Sequence, residues 1–230
     1  MPQFFDAENP FTDEAVAKQW ATSVEIESGN WRDKVLYPEM RKWLAGITEP
    51  KPIILDVGSG QGRGSTEIDG YGKYIGVEPS EFLVDRAKQL YSAANRDFVI
   101  GNAYELPIVS ESVDGVISVN VFFHLADLET AVKEMSRVLR RGGSFFVNTA
   151  SYDSVDVWKT LYTDLVVSET MMQGNIRLPE TEPTLNTFYF QPNQLVIDRL
   201  EKYGLHVEKV SYSCEKDGKT LFITIEGRRV

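Results

Sequence analysis

The run Ile53-Ile54-Leu55-Asp56-Val57-Gly58-Ser59-Gly60-Gln61-Gly62-Arg63-Gly64 limits what this chain can fold into more than any other segment. An apolar strand feeds a loop with glycine at every second position. A second apolar run, Tyr74-Ile75-Gly76-Val77, then ends on Glu78, 20 residues beyond Gly58. This is how an α/β protein builds a site for an adenosine-bearing cofactor: bare backbone lies beside the ligand, and a strand-end carboxylate accepts from its ribose hydroxyls. The glycine intervals separate one cofactor from another. The dinucleotide pattern Gly-x-Gly-x-x-Gly fails here, because its third glycine falls on Arg63 counted from Gly58 and on Ser65 counted from Gly60. That glycine lets a helix close on its strand, so its loss disfavours a nicotinamide-dependent oxidoreductase. A Gly-Lys-Ser/Thr ending is also missing, so a phosphate-cradling loop is not supported. Standing alone, the glycines would mean only a tight turn.

The rest of the chain supplies the rhythm such a loop needs. Helices are expected over 12–23 and 31–45, the second broken at Pro38. Strands at 53–57, 73–77, 97–100, 113–119 and 144–150 alternate with helices at about 62–68, 80–92 and 127–139, started by Pro79-Ser80 and stopped by Gly142-Gly143. This alternation predicts a mostly parallel sheet with helices on both faces. A helix from Gln191 to Tyr203 and strands at 205–213 and 219–227 follow, with Asp217-Gly218 marking a hairpin. With 230 residues, one domain suffices. Its parts are an N-terminal helical cap (1–50), a core (51–150), an insertion (151–191) and a C-terminal helix with a strand hairpin (192–230). The insertion holds Trp158, Leu161, Tyr162, Leu165, Met171, Met172, Phe188, Tyr189 and Phe190. Its 158–165 portion has helical spacing, and 173–187 reads as polar loop. Either it is a substrate lid over the carboxyl ends of the strands, or its aromatic stripe packs on the domain or on a second subunit.

Five segments in order resemble the class I S-adenosylmethionine-dependent methyltransferases: the glycine loop with Leu55-Asp56-Val57, the strand ending at Glu78, Phe98-Val99-Ile100-Gly101-Asn102-Ala103, Val113 to Leu125, and Glu134 to Val147. The similarity runs from about Ile53 to Thr149. The subgroup it most resembles is the small-molecule, type 11 kind typified by the ubiquinone and menaquinone methyltransferases. The resemblance implies a Rossmann-like, doubly wound, seven-stranded sheet whose last strand is antiparallel. It also implies S-adenosyl-L-methionine as cofactor.

The resemblance assigns roles residue by residue. Asp56 organises the glycine loop and the cofactor's amino group, directly or through water, the alternative being a plain turn-capping role. Gly58, Gly60 and Gly62 let the backbone approach the ligand, and Glu78 accepts from both ribose hydroxyls. Pro79 and Phe82 are placed to pack on the adenine. Asn102 stands where the commoner residue is Asp, and its carbonyl would accept from the adenine amino group without the charge-assisted gain. Ala103 leaves room for the ring, and Asn120 lies beside the reacting methyl. His124 is either a general base or a structural residue of the cofactor pocket. Tyr152 and Tyr189 are candidates for the acceptor pocket.

Composition narrows the partners. The net charge of −10 repels a phosphate backbone, and the basic groups (Arg137, Arg140 and Arg141; Arg228 and Arg229) are short, so nucleic acid is an unlikely substrate. No apolar run suggests a membrane span, the start around Asp6 and Glu8 does not resemble a secretory signal, and Cys214 is the only cysteine. A cytoplasmic setting is expected, with a homodimer left open. No cluster has metal-ligand spacing. The expected function is methyl transfer to a small molecule; the alternative is a methyltransferase fold that binds the cofactor without turnover.

Overall fold

The computed structural model describes residues 9–26, 31–68, 70, 72–176, 183–216 and 218–230. Residues 27–30, the hairpin's Asp217 and the side chain of Cys214 lie outside that description. Helix α1 (Glu14–Ile26) is followed by a π-helical turn, Arg32–Leu36, which continues into α2 (Tyr37–Ala45). Pro38 lies in the first turn of α2, where its missing N–H is tolerated, so it marks a change of helical winding rather than a break.

The core elements are β1 (Ile53–Val57), β2 (Lys73–Glu78), α3 (Glu81–Tyr91), β3 (Arg96–Ile100), β4 (Val113–Val119), α4 (Leu128–Val138), β5 (Leu139–Ala150), α6 (Asn193–Lys202), β9 (Leu205–Lys216) and β10 (Lys219–Arg229). The segment expected as a helix at 62–68 is a 3-10 helix, Arg63–Ile68. The strands form one seven-stranded sheet in the order β3-β2-β1-β4-β5-β10-β9. All neighbours are parallel except β10, which runs antiparallel to both β5 and β9. The order reverses between β1 and β4, the crevice where such sheets bind ligands.

Both faces of the sheet are covered, which is why its strands read as continuous apolar runs. On one face Leu55, Val57, Val116, Val147 and Ile223 meet Leu128, Val132 and Met135 of α4 and Val196 and Leu200 of α6. On the other, Ile54, Tyr74, Phe98, Ile117 and Phe146 meet Met40, Trp43 and Leu44 of α2 and Val84 and Ala87 of α3. Each such side chain, fully buried, contributes about 1.5–3 kcal/mol. Helix α4 starts where Asp127 Oδ1 accepts from the Thr130 amide at 3.0 Å. It stops at Val138, ahead of the expected Gly142-Gly143. Those glycines sit instead in an irregular start to β5, where the pairing with β4 jumps from Leu139 to Ser144.

The insertion departs most from expectation. After a short helix α5 (Val155–Lys159), the helix expected through 165 gives way to strand, and the described residues of 173–187, expected as loop, are mostly strand. Strands β6 (Tyr162–Val167), β7 (Met171–Ile176) and β8 (Thr184–Tyr189) form a three-stranded antiparallel sheet. Tyr162, Met172 and Phe188 make its core with Ala150 of β5, against Phe123, Trp158 and Phe190. The helical spacing at 158–165 was a coincidence of aromatics that a strand presents equally well. Among the described residues, no helix is long and apolar enough to cross a membrane.

Candidate functional site

The glycine loop leaves β1 and is tied to β2, since the amides of Gly58 and Ser59 both donate to the Val77 carbonyl, at 2.8 and 3.1 Å. Gly58, Gly60 and Gly62 all have positive φ, at 75°, 55° and 81°. Close approach matters as much as conformation. A Cβ on Gly58 would lie 2.4 Å from Val121 Cγ2, and one on Gly60 would lie 2.9 Å from Trp20 Cη2. Gly62 is pressed in the same way against Phe98 and Ala87. These glycines therefore accommodate protein side chains as well as leaving backbone bare.

Glu78 binds the loop directly. Its Oε2 accepts from the Gly60 amide at 3.0 Å and its Oε1 from the Ser80 amide at 3.1 Å. Burial drives its carboxyl up to about 7, against the opposing pull of those two amides. Each oxygen keeps a second lone pair for a ligand hydroxyl. Asp56, two residues before the loop, accepts from the Tyr74 hydroxyl at 2.7 Å. Burial likewise raises its carboxyl to about 7, and the tyrosine bond only partly offsets this. Two carboxyl groups poised near neutrality thus flank the loop.

Asn120 follows β4 with φ of 58°, a left-handed conformation that asparagine tolerates better than most residues. Its amide donates to the Asn148 carbonyl at 2.8 Å, while its buried Oδ1 has no partner. A buried acceptor without a donor is costly and marks a place where a ligand N–H fits. His124 ends a 3-10 turn, Phe122–His124. Its Nδ1 lies 2.8 Å from the Thr187 carbonyl of β8. A carbonyl only accepts, so Nδ1 carries the proton and Nε2 carries the lone pair. Burial pushes this imidazole down to about 4, and the Thr187 bond opposes the shift, so the ring is neutral at pH 7.

The remaining sequence candidates are less uniform. Ala103 is buried in the main core and Pro79 is half-buried at the end of β2. Asn102 differs from expectation: its Oδ1 accepts from the amides of Tyr104 and Glu105, at 2.8 and 3.0 Å. Both carbonyl lone pairs therefore serve its own turn, and the structure does not present that oxygen to an adenine. Phe82 packs with Trp20 of α1 against Ala17, Ala21 and Leu83. Tyr152 contacts Phe190 with ring centroids 6.1 Å apart. Tyr189 follows Phe188 in β8 and so points to the opposite face of the small sheet. The two tyrosines thus sit on different elements, one in the 3-10 turn Tyr152–Ser154 and one at the end of β8.

Sequence reasoning missed what covers the loop. Trp20 lies over Gly60, and Phe11 stands edge-on to both Trp20 and His124, with centroids 5.7 and 5.3 Å apart. The only local signal was an aromatic on an N-terminal helix. The residues present nonetheless fit an adenosine cofactor with an amino-acid tail: bare backbone at the loop, a fixed carboxyl at Glu78 that accepts through both oxygens once ionised, and an unpartnered acceptor at Asn120. Among the described residues no group of His, Cys, Asp or Glu could hold a metal ion.

Comparison with known proteins agrees with this geometry. Residues 55–147 match the family described as "Methyltransferase domain". An uncharacterized methyltransferase of Schizosaccharomyces pombe is 33% identical over 144 residues, 57% of this chain and 51% of that protein. An O-methyltransferase of Aspergillus sclerotiorum is 31% identical over 107 residues, 44% of this chain and 40% of that one. The chain spans about half the length of the curated relatives it matches. In fold, a solved Pyrococcus horikoshii protein superposes with a TM-score of 0.72 at 19% identity, covering 89% of this chain and 93% of that one. Other solved structures of the same fold, at 16% and 17% identity, carry the name S-adenosylmethionine-dependent methyltransferase.

Proposed function

We propose that the chain is a methyltransferase of the family whose model matches residues 55–147, and that it transfers a methyl group from S-adenosyl-L-methionine to a small-molecule acceptor. The observation that carries the reading is Glu78, buried and locked to the glycine loop through the Gly60 amide at 3.0 Å. In this reading a ribose diol meets that two-oxygen acceptor at the edge of bare backbone. Asn120 Oδ1, buried without a partner, would accept from the cofactor's ammonium end, and Asp56 is held from behind the loop by the Tyr74 hydroxyl. When bound, the cofactor supplies an activated methyl on a sulfonium, open to in-line displacement.

The chain's own contribution is then positioning, which converts an encounter of two molecules into a nearly unimolecular step. Where the acceptor is a hydroxyl or amine, its proton must leave as the methyl arrives. His124 is suited to take it, because Thr187 fixes the tautomer and leaves Nε2 as the free base. A group titrating at about 4 is weak at rest, so it takes the proton only as the acceptor acidifies in the transition state. The acceptor is read as small and partly apolar. Support comes from the aromatic insertion that meets His124 and from the O-methyltransferase name of one relative. The insertion covers the site as a lid would.

Calorimetry with S-adenosylhomocysteine is the direct test. Micromolar binding is expected for the native protein, with a loss of at least tenfold in Glu78→Ala. Unchanged binding in that variant would sink the reading. Tight binding without transfer of a labelled methyl to any small acceptor would favour a binding module instead.

A further inference from the structure

A group of unsatisfied polar atoms lies beside the candidate site, on the sheet face that also carries α2. Pairing register puts six residues there side by side: Asn148 and Ala150 of β5 oppose Thr224 and Phe222 of β10, which in turn oppose Ser211 and Ser213 of β9. Directly opposed residues share a face. The Phe222 ring is stacked on Trp31 at 4.1 Å and met edge-on by Trp158 of α5 at 5.4 Å. On these two rings and this sheet face, Trp31 Nε1, Trp158 Nε1, Asn148 Oδ1, Ser211 Oγ and Ser213 Oγ are all buried and all without a hydrogen-bond partner.

The orientation of Asn148 is set. Its Nδ2 donates to Thr224 Oγ1 at 2.9 Å and lies 3.4 Å from the Ile223 carbonyl. Oδ1 must therefore turn the other way, as an acceptor with nothing to accept from. Native proteins rarely leave buried polar atoms unpaired, and five of the eleven such atoms among the described residues fall on these facing elements. The patch also adjoins the reacting end of the site, because the Asn148 carbonyl takes the Asn120 amide at 2.8 Å.

We propose that this patch is the acceptor-binding subsite, and that it selects a neutral aromatic molecule bearing both a carbonyl and a hydroxyl. The proposal rests on the methyltransferase reading above and adds the class of acceptor. Two indole N–H groups can only donate, so they call for a carbonyl or ether oxygen. Asn148 Oδ1 can only accept, so it calls for a hydroxyl or N–H. The serine hydroxyls serve either role. The Phe222 and tryptophan rings offer an apolar wall for a planar frame. No ionisable group is among the six, and charged residues of the same elements pair with one another, Asp156 with Lys159 at 3.5 Å and with Lys219 at 3.7 Å, and Lys209 with Glu226 at 2.6 Å. A charged acceptor would be desolvated there with no counter-ion.

The test uses the protein saturated with S-adenosylhomocysteine, titrated with 4-hydroxyacetophenone, with toluene as the hydrocarbon control and 4-hydroxybenzoate as the charged one. Trp31→Phe with Trp158→Phe removes both N–H donors and keeps both rings. The double variant is expected to bind 4-hydroxyacetophenone about tenfold more weakly, with toluene and S-adenosylhomocysteine unaffected. A crystal of the complex should place the ketone oxygen at an indole nitrogen. Equal ketone affinity in both proteins, tighter binding of the benzoate, or ordered water alone at the indoles would overturn the proposal. Failure of the native protein to bind S-adenosylhomocysteine would instead sink the methyltransferase reading itself.

Discussion

Glu78 shows how burial sets the working range of a binding residue. Its folded value of about 7 lies above the ordinary 4.5, so below neutrality the carboxyl is protonated and one acceptor oxygen becomes a donor. Affinity for S-adenosylhomocysteine should accordingly tighten as pH rises from about 6 to about 8, approaching tenfold per unit on the acid side. Glu78→Gln should bind at least tenfold more weakly and show a flat profile by calorimetry, and a flat profile in the native protein would contradict this. Gly58 is constrained by its neighbour as well as by its backbone. With φ at 75° and Val121 Cγ2 2.4 Å from a built Cβ, Gly58→Ala should cost about 2–4 kcal/mol in denaturant unfolding. Adding Val121→Ala should recover the steric part and leave about 1 kcal/mol for the backbone. No recovery would mean that the clash is not the cause.

Among the elements, α1 has the most consequence for the site. Trp20 covers Gly60, and Gln61 Nε2 reaches the Ala21 carbonyl at 3.5 Å, so the helix lies across the loop that would receive the cofactor. Trp20→Ala should loosen this contact, destabilise the protein by about 1–3 kcal/mol, and speed amide exchange at Gly60 and Gln61. Unaltered exchange at those amides would show that α1 is not their cover. Such a contact was not readable beforehand, because it joins residues forty apart with no motif between them. The sheet, by contrast, was readable nearly to the residue: 53–57 and 113–119 are apolar runs buried on both faces, and no helix of so few residues would hold them. The insertion was not, because β7 buries Gln173 and Gly174 beside Met172 and so lacks the alternation that announces a strand. Asp56, the glycines and Glu78 could be singled out because their spacing is local, and the fold brings Glu78 onto the Gly60 amide. The Thr187 carbonyl that sets the His124 tautomer lies sixty-three positions away.

Across the whole molecule, the buried titrating groups pull stability in opposing directions, and their sum has a definite sign at each pH. Asp56 and Glu78 have folded values of about 7, against 3.8 and 4.5 when exposed. The folded state therefore holds two protons that the unfolded chain releases, and the stability this brings is complete at the acid end and is lost as pH rises towards 7. His124 acts the other way: its folded value of about 4 against 6.5 means that the unfolded chain takes up the proton, so stability falls as pH drops from 6.5 towards 4. Between 4.5 and 6.5 two carboxyls oppose one imidazole, and above 6.5 the carboxyls act alone until about 7. Below 4.5 the carboxylates with lowered values, Asp127, Glu129 and Glu134, lose their partners' support and end the rise. The ligand-free protein should thus melt highest near pH 5 and several degrees lower by pH 7.5. Asp56→Asn with Glu78→Gln should flatten that decline. S-adenosylhomocysteine should also reduce it, because a ligand that prefers ionised Glu78 stabilises most where the carboxylate is already formed. Melting temperatures taken every half unit from pH 4 to pH 9, with and without the ligand, decide it: a ligand-free optimum above pH 7 would show that the two carboxyls are ionised in the fold and that burial does not govern this site.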